Sequence, residues 1–229
     1  MKSNPKRRLV MYFIGLFIMT IGIALSVKSD LGVSPVSSIP YTLTCVWGIE
    51  MGKATILFHV VLVALQMAIL RRKFQVKNLL QVPVGIVFGY FTTLSNYLMS
   101  FAPAPHNLVL RLGMLLVSVV LVAVGIFLYL PADIMPLAGE GVMQAVSDTL
   151  HVPFARAKVA FDVTMVAISL VTCLAFLHRL GSVGAGTVIA AVLVGVVLGR
   201  ITKRFSGWRD ALLAQVSQTA APSGTAAPL

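Results

Sequence analysis

The sequence predicts an all-α polytopic membrane protein with six transmembrane helices plus two short re-entrant or broken helices, in two inverted-topology repeats. Three observations lead to this prediction. Hydrophobic residues make up 58% of the 229-residue chain and charged residues only 11%, which is more apolar than a soluble domain of this size requires. Long uncharged runs recur along the chain, and its two halves align with each other at a nearly constant offset.

Six apolar runs are long enough to cross a membrane, for which about 20 residues are needed. Two further apolar segments, Val33–Trp47 and Ile134–Leu150, are shorter and are interrupted by Pro, Gly, Ser or Glu. We therefore expect six spans and two short re-entrant or broken helices. The six predicted spans are Leu9–Val27, Ala54–Leu70, Leu79–Phe101, Leu112–Leu130, Val159–Leu177 and Ser182–Gly199.

An internal repeat relates the two halves. An offset of 103 residues places Gly22 on Gly125 and Asp30 on Asp133, and it needs no gap as far as Ala64. An offset of 110 then aligns two further glycine pairs. Because polar and glycine positions coincide as well as apolar ones, the pattern indicates an internal duplication. The additional aligned pairs are Phe58 with Phe161, Gly85 with Gly195 and Gly89 with Gly199.

This duplication divides the chain into four parts. Residues 1–8 form a basic N-terminus, residues 9–101 the first repeat, and residues 109–204 the second repeat. Residues 205–229 form a tail, in which "FSGWRDALLAQVSQ" has the composition of a short interfacial helix. The closing "TAAPSGTAAPL" is of low complexity, and we expect it to be disordered.

Basic residues predict the orientation of the chain. If the segment Val33–Trp47 does not cross the membrane, all three basic clusters face the cytoplasm, as the positive-inside rule requires. Both termini are then cytoplasmic, while "APAPHN", which carries no Lys, Arg, Asp or Glu, lies outside. Three spans per repeat force the second copy to enter from the opposite face, which gives inverted repeats. The clusters are Lys2, Lys6, Arg7 and Arg8; Arg71, Arg72, Lys73 and Lys77; and Arg200, Lys203, Arg204 and Arg209.

Several function classes receive no support. The formal net charge of +11 comes from residues at the ends of spans, so we expect no nucleic-acid partner. Cys45 and Cys173 lack metal or redox spacing. The glycines of "GSVGAGTV" suit close helix packing better than nucleotide binding, because no strand or lysine accompanies them. We therefore expect no cofactor, no metal site and no enzyme. The expected partners are the lipid bilayer and an unidentified small solute or ion.

Two ionisable residues interrupt the fifth predicted span. In "KVAFDV", Lys158 precedes Asp162 by four residues, which places both on one helix face, where they can neutralise each other. A charge at this depth is costly and usually faces a cavity or a partner. The repeat places His59 at the position equivalent to Asp162. We interpret these three residues as candidates for a solute or ion path, with an interfacial lysine and its counter-ion as the alternative.

The two short segments contain the second group of candidates. In the first segment Pro35 can begin a helix, and its hydroxyl side chains can cap that helix or contact a solute. In the second segment proline and glycine are expected to break the helix around Glu140, which the repeat aligns with Ser37. A half-helix N-terminus at membrane depth attracts anions and carboxylates. The hydroxyl candidates are Ser34, Ser37, Ser38 and Tyr41, and the remaining expected helix breaks are Pro136, Gly139 and Gly141.

Five motifs resemble those of the bacterial YczE/YyaS/YitT-like integral membrane proteins. They are "LGVSPVSSIPY", "LLQVPVGIVFGYF", "MPLAGEG", "KVAFDV" and "GTVIAAVLVG", and the resemblance covers most of residues 9–204. It implies a location in the bacterial inner membrane. It implies no particular substrate.

The leading hypothesis is a small inner-membrane transporter or permease with its site between the two repeats. The alternative is a non-transporting accessory protein that supports an export or biosynthetic complex through its helical surface. An enzyme acting on a lipid is a distant third. Polar side chains that converge on a central cavity favour transport, whereas a packed centre with polar groups at one rim favours the accessory role. A homo-oligomer is compatible with either hypothesis.

Overall fold

The computed structural model describes residues 5–103 and 105–214, the last five of them as backbone only. Over these residues the chain forms eight α-helices and no strand. Three short 3-10 helices cover Arg71–Lys73, Val76–Leu80 and Leu130–Ala132. The α-helices are α1 (Pro5–Ser29), α2 (Pro35–Trp47), α3 (Met51–Leu70), α4 (Gln81–Ser100), α5 (Leu108–Tyr129), α6 (Ala138–Leu150), α7 (Phe154–Leu177) and α8 (Ala185–Ala214).

Local sequence signals set several helix ends. Pro35 opens α2, where its missing N–H costs nothing. Gly48 ends the same helix with a left-handed φ of 67°, which glycine adopts without strain. The side chain of Glu50 accepts hydrogen bonds from the first N–H groups of α3, and that of Asn107 caps α5 by accepting from Leu110 N at 2.8 Å.

Five helical segments of the described chain are long and apolar enough to cross a membrane. The fold is therefore that of an all-helical membrane protein with several candidate spans. The remaining predicted span, Leu79–Phe101, corresponds to α4, which has 20 residues but is interrupted by hydroxyl and amide side chains and falls outside this set. The five segments are Pro5–Ser29, Met51–Lys73, Leu108–Ala132, Phe154–Leu177 and Ala185–Arg209.

The order of elements occurs twice. The start residues of α1, α2 and α3 recur in α5, α6 and α7 at the offset seen in the sequence, so that Pro35 corresponds to Ala138 and Met51 to Phe154. Both short helices, α2 and α6, have 13 residues. Each half therefore consists of a long helix, a short helix and two further long helices.

Two details of the prediction were wrong. Gly139 and Gly141 lie inside the first turn of α6 and do not break it, so the break falls in the loop that contains Pro136. The helix α8 runs without interruption to Ala214, so no separate interfacial helix begins after Lys203. The disorder predicted for residues 219–229 concerns a segment that lies outside the described residues, as do residues 1–4 and 215–218.

The centre of the fold is a close antiparallel crossing of α1 and α5. The start of α1 lies beside the end of α5, since Arg8 Nε donates to Ala132 O at 2.8 Å. Glycines allow the close approach: a Cβ added to Gly125 would lie 2.7 Å from Gly15 O, closer than packed atoms tolerate. Small residues are common where membrane helices approach in this way.

The other helices are arranged around this crossing in matching pairs, with one exception. The helix α4 packs on α1 as α8 packs on α5, and α2 packs on α7 as α6 packs on α3. Both short helices are therefore covered mainly by the opposite repeat. The exception is the last pair: α4 packs along α3, whereas in the described chain α8 does not pack along α7.

Candidate functional site

The first turn of α6 carries a carboxyl group, that of Glu140, with one fully buried oxygen. The hydroxyl of Tyr129, on α5, donates a hydrogen bond to Glu140 Oε1. The other oxygen, Oε2, is buried without a hydrogen-bond partner among the described residues. On α1, the Tyr12 hydroxyl donates to Met135 O at 2.7 Å, and the two tyrosine rings meet edge to face, with centroids 5.9 Å apart. Two tyrosines thus tie α5 to the first turn of α6 and α1 to the loop that precedes it.

Opposing effects act on the Glu140 carboxyl. The N-terminus of α6 and the Tyr129 hydroxyl favour its charged form, whereas burial favours the neutral acid. Because Oε2 is buried and receives no donor from the described chain, the charged form is only partly stabilised there.

A pair of buried glutamines fixes the other side of this helix start. Gln66 on α3 donates from Nε2 to Gln81 Oε1 at 2.7 Å and to Ala138 O at 3.1 Å. A side chain at Gly141 would collide with both amides, since a Cβ there would lie 2.7 Å from Gln81 Nε2. Gly141 therefore provides room for the glutamines, which is a different role from the predicted helix break.

The expected ion pair on α7 is present. Lys158 Nζ lies 2.5 Å from Asp162 Oδ2; the lysine side chain is 48% exposed and the aspartate side chain 16%. The second aspartate oxygen, Oδ1, is buried and has no hydrogen-bond partner in the described chain. The helix that carries this pair, α7, packs against α6, which carries Glu140.

His59 does not join this group. Its side chain is buried and packs against α4, with the ring centroid 5.4 Å from that of Phe88 and Gly85 directly over its Cβ. Nδ1 is buried without a hydrogen-bond partner in the described residues. The repeat-equivalent positions His59 and Asp162 thus have different surroundings.

The hydroxyl candidates of α2 mostly serve the scaffold. Ser34 makes no capping bond and donates instead to Ser37 Oγ at 3.1 Å. Ser38 donates to Pro35 O at 2.6 Å and accepts from Ser169 on α7 at 2.9 Å. Tyr41 is partly buried at the edge of the hydrophobic cluster formed by α1, α4 and α5.

The region between the repeats is packed. Two hydrophobic clusters fill it, one around Tyr12, Leu16 and Tyr129 and one around Phe58 and Phe161. A small cavity of about 10 Å³, lined in part by serine side chains, is large enough for about one water. A hollow of about 370 Å³ opens at the surface beside residues of the α1 start and the loop before α6. The described residues therefore show a packed centre rather than a wide central cavity.

Two matching ion pairs tie the repeats together at opposite ends. Arg8 pairs with Asp133, its NH2 nitrogen 3.6 Å from Oδ2, and Arg111 pairs with Asp30. Each arginine also donates to the last backbone carbonyls of the facing helix, and Arg111 Nε reaches Ser29 O at 2.9 Å. Both aspartates have left-handed φ values near 50°.

Sequence reasoning missed the residues that complete this arrangement. The sequence identified Asp30 and Asp133 only as an aligned pair of the repeat. The offset of 103 also places Arg8 on Arg111, and extending the repeat to the N-terminus would have revealed both ion pairs. The repeat did not point to Tyr129 as a functional residue, because the residue aligned with it is Ser26.

These features define an all-helical membrane protein with a short helix in each half and a buried carboxyl group at the start of the second one. The family resemblance is confirmed. The chain belongs to DUF6198, a family of unknown function, whose sequence profile matches residues 6–203. It is similar to the uncharacterized membrane protein YczE of Bacillus subtilis (strain 168), at 24% identity over 201 residues, which is 86% of each chain. No solved structure matches.

Proposed function

We propose that this protein is a small transporter or permease of the bacterial inner membrane, with Glu140 as the group that exchanges a proton or cation. The observation that carries the proposal is the buried carboxyl of Glu140, held by Tyr129 and left with one unpartnered oxygen. Ionisable residues in membrane segments are costly, and they are characteristic of proton relays and ion paths. On this proposal the protein is not an enzyme and needs no cofactor. Its partners are the lipid bilayer and a small solute or ion.

An inverted repeat is part of the proposal. The antiparallel packing of α1 on α5 supports it, because these helices have equivalent places in the two halves. The mirrored ion pairs Arg8–Asp133 and Arg111–Asp30 support it too. In inverted-repeat transporters the halves exchange conformations around a site near the membrane midplane, which short or broken helices help to form.

The proposed topology has six spans, with α4 as the sixth. Lys28, at the end of α1, donates to Met99 O and Ala102 O at the end of α4, so both helices end on the same side. Thr93 donates to Glu50 at 3.0 Å, so α3 begins on that side as well. A helix of 13 residues spans about 20 Å, too short for a core of about 30 Å, so α2 enters and returns.

Cysteine labelling tests this topology. We expect a cysteine at Gln75 to be protected from an impermeant maleimide in intact spheroplasts and a cysteine at His106 to be labelled. Both termini and the Arg71–Lys77 loop are then cytoplasmic. Labelling of the Gln75→Cys variant in intact spheroplasts would exclude the inverted arrangement.

A thermal-shift screen tests the role of Glu140. Purified wild-type protein in detergent is screened against metabolites and ions between pH 5.5 and 8. We expect Glu140→Gln to melt near the wild-type temperature and to lose the stabilisation by whatever solute or ion stabilises the wild type. Asp148→Asn, which removes an exposed acid of the same helix, is the matched control and should retain it. If Glu140→Gln keeps the full ligand shift, or fails to fold while Ser37→Ala folds, the carboxyl belongs to the scaffold.

The packed centre favours one alternative, a non-transporting accessory protein that supports an export or biosynthetic complex. In that case the exposed helix faces bind other membrane proteins, and no solute shifts the melting temperature. Reconstitution separates the two functions. Proteoliposomes that contain a transporter take up a radiolabelled stabilising solute, whereas those that contain an accessory protein do not.

A further inference from the structure

The last two helices of each half are packed differently, although they derive from the same repeat. In the first half, α4 covers one face of α3. Gly89 lies against that face, where an added Cβ would lie 2.7 Å from Gly52 O, and Gly85 lies over the ring of His59. In the second half, the equivalent face of α7 is left uncovered, because α8 follows α5 instead.

The helix α8 nevertheless has the residues that the missing contact requires. Gly195 and Gly199 correspond to Gly85 and Gly89, and at neither does another part of the described chain come within 4 Å of the place where a Cβ would lie. On α7, the counterparts of Gly52 and His59 are Ala155, which is exposed, and Asp162. Two glycines in a helix interior weaken it unless a close neighbour needs the space, and the observed packing provides no such neighbour.

We propose that the protein has a second conformation in which α8 closes along α7. Gly195 then lies over Asp162 and Gly199 over Ala155, as Gly85 and Gly89 lie over His59 and Gly52 in the first half. The occupant of the uncovered face is therefore α8 of the same chain. Small residues on both helices allow the close contact.

Closure changes the surroundings of the ion pair on α7. In the described conformation the Lys158 side chain is 48% exposed and the Asp162 side chain 16%. With α8 in place, both are covered, as His59 already is beneath α4. The use of this motion in transport rests on the proposed function, since alternating access moves such groups between open and covered positions. The closure itself does not depend on any solute.

Disulfide crosslinking in native membranes tests the closure. In a background with Cys45→Ala and Cys173→Ser, the full-length Ala155→Cys/Gly199→Cys variant is oxidised with copper phenanthroline. A protease site between His178 and Gly184 separates the cysteines of the test pairs, and a protease site in the Arg71–Lys77 loop separates those of the control pair below. An intramolecular disulfide then keeps the two fragments together on a non-reducing gel. We expect crosslinking comparable with that of the Glu50→Cys/Thr93→Cys pair, whose native side chains are in contact.

Two further pairs complete the test. Val159→Cys/Gly199→Cys, the counterpart of the packed Ile56 and Gly89, should also crosslink and guards against misfolding of one variant. Val171→Cys/Gly199→Cys, with its first cysteine more than ten residues further along α7, should not. A disulfide between two copies would overturn the proposal and assign the face to a second chain. Absence of any crosslink in both test pairs, while Glu50→Cys/Thr93→Cys reacts, would overturn it as well. Neither result depends on the thermal-shift test of Glu140.

Discussion

The two halves of this protein pack their first long helices in the same way and their last long helices differently. Around α1 and α5 the correspondence is close: glycines allow the crossing, and an arginine of each helix pairs with the aspartate that follows the other. At the far end, α4 covers α3 while α7 remains uncovered. The same repeat therefore supports two different arrangements of its last helix pair.

This difference shows which features a duplicated sequence repeats in both copies, namely helix starts and turns, and which it does not, namely the packing partners of the helices. Helix starts and turns depend on local residues, so they recur in both copies. The position of a long helix depends on the partner it can bury, and α4 and α8 have different partners. A glycine such as Gly89 is thus essential for packing in one copy, while its counterpart Gly199 lies in open space. The following predictions test this comparison, from the largest expected effect to the smallest.

Gly89→Leu should destabilise the fold far more than Gly199→Leu. In the first half the new side chain meets the backbone of α3, where a Cβ alone would lie 2.7 Å from Gly52 O. Overpacking of this kind costs about 3 kcal/mol. At Gly199 nothing lies within 4 Å, so the stability should stay near that of the wild type. Thermal unfolding in detergent measures both. Equal losses would mean that α8 is packed against a neighbour in the folded protein.

The two residues of the ion pair on α7 should contribute unequally to the stability of the fold. Lys158→Ala leaves Asp162 mostly buried with no counter-ion, which we expect to cost about 2 kcal/mol, less than for a fully buried pair because the lysine side is open. Asp162→Ala leaves a half-exposed lysine that can extend to the interface, at less than about 1 kcal/mol. The exchange of both residues, Lys158→Asp with Asp162→Lys, should recover part of the loss. If both alanine variants unfold at the wild-type temperature, neither charge depends on the other.

Replacement of Arg8 and replacement of Arg111 should lower the stability by similar amounts, and the two losses should add. Arg8→Ala and Arg111→Ala each remove a partly exposed ion pair and a bond to a helix-end carbonyl, at about 1 kcal/mol each. Since the two lie at opposite ends of the α1–α5 crossing, the double variant should lose the sum. Unfolding of the two single variants and the double variant measures this. A much larger loss for one of them would show that the two ends are not equivalent.

Ser37→Ala should have the smallest effect. Its hydroxyl accepts a hydrogen bond from Ser34 Oγ at 3.1 Å, and loss of this bond costs about 0.5 kcal/mol. Its counterpart Glu140 is held by Tyr129, which has no equivalent in the first half. If Ser37→Ala abolished ligand stabilisation as fully as we expect of Glu140→Gln, the site would extend to both short helices.

The sequence alone determined the class and the order of the helices. Apolar runs with few charges specify membrane segments, and the offset between Asp30 and Asp133 predicted a second copy of the same elements. The pairing of Lys158 with Asp162 followed from their spacing of four residues. The ends of the short helices were predicted less well, because Gly139 and Gly141 suggested a break where the chain is helical. A glycine near a helix start can leave room for a side chain of another helix, and the local sequence does not reveal that contact.

Tertiary structure decided which of the polar residues meet. His59 and Asp162 occupy equivalent positions, yet one is packed under α4 and the other is partly open, because only α4 lies along its neighbouring helix. Glu140 meets Tyr129 through one hydrogen bond between the start of α6 and the end of α5, a contact between residues that share no motif. Helix periodicity specifies which face of a helix is apolar, but not which of several apolar faces will cover it. That choice depends on the close approach of helices at residues such as Gly15 and Gly125, and it sets the surroundings of every candidate site residue.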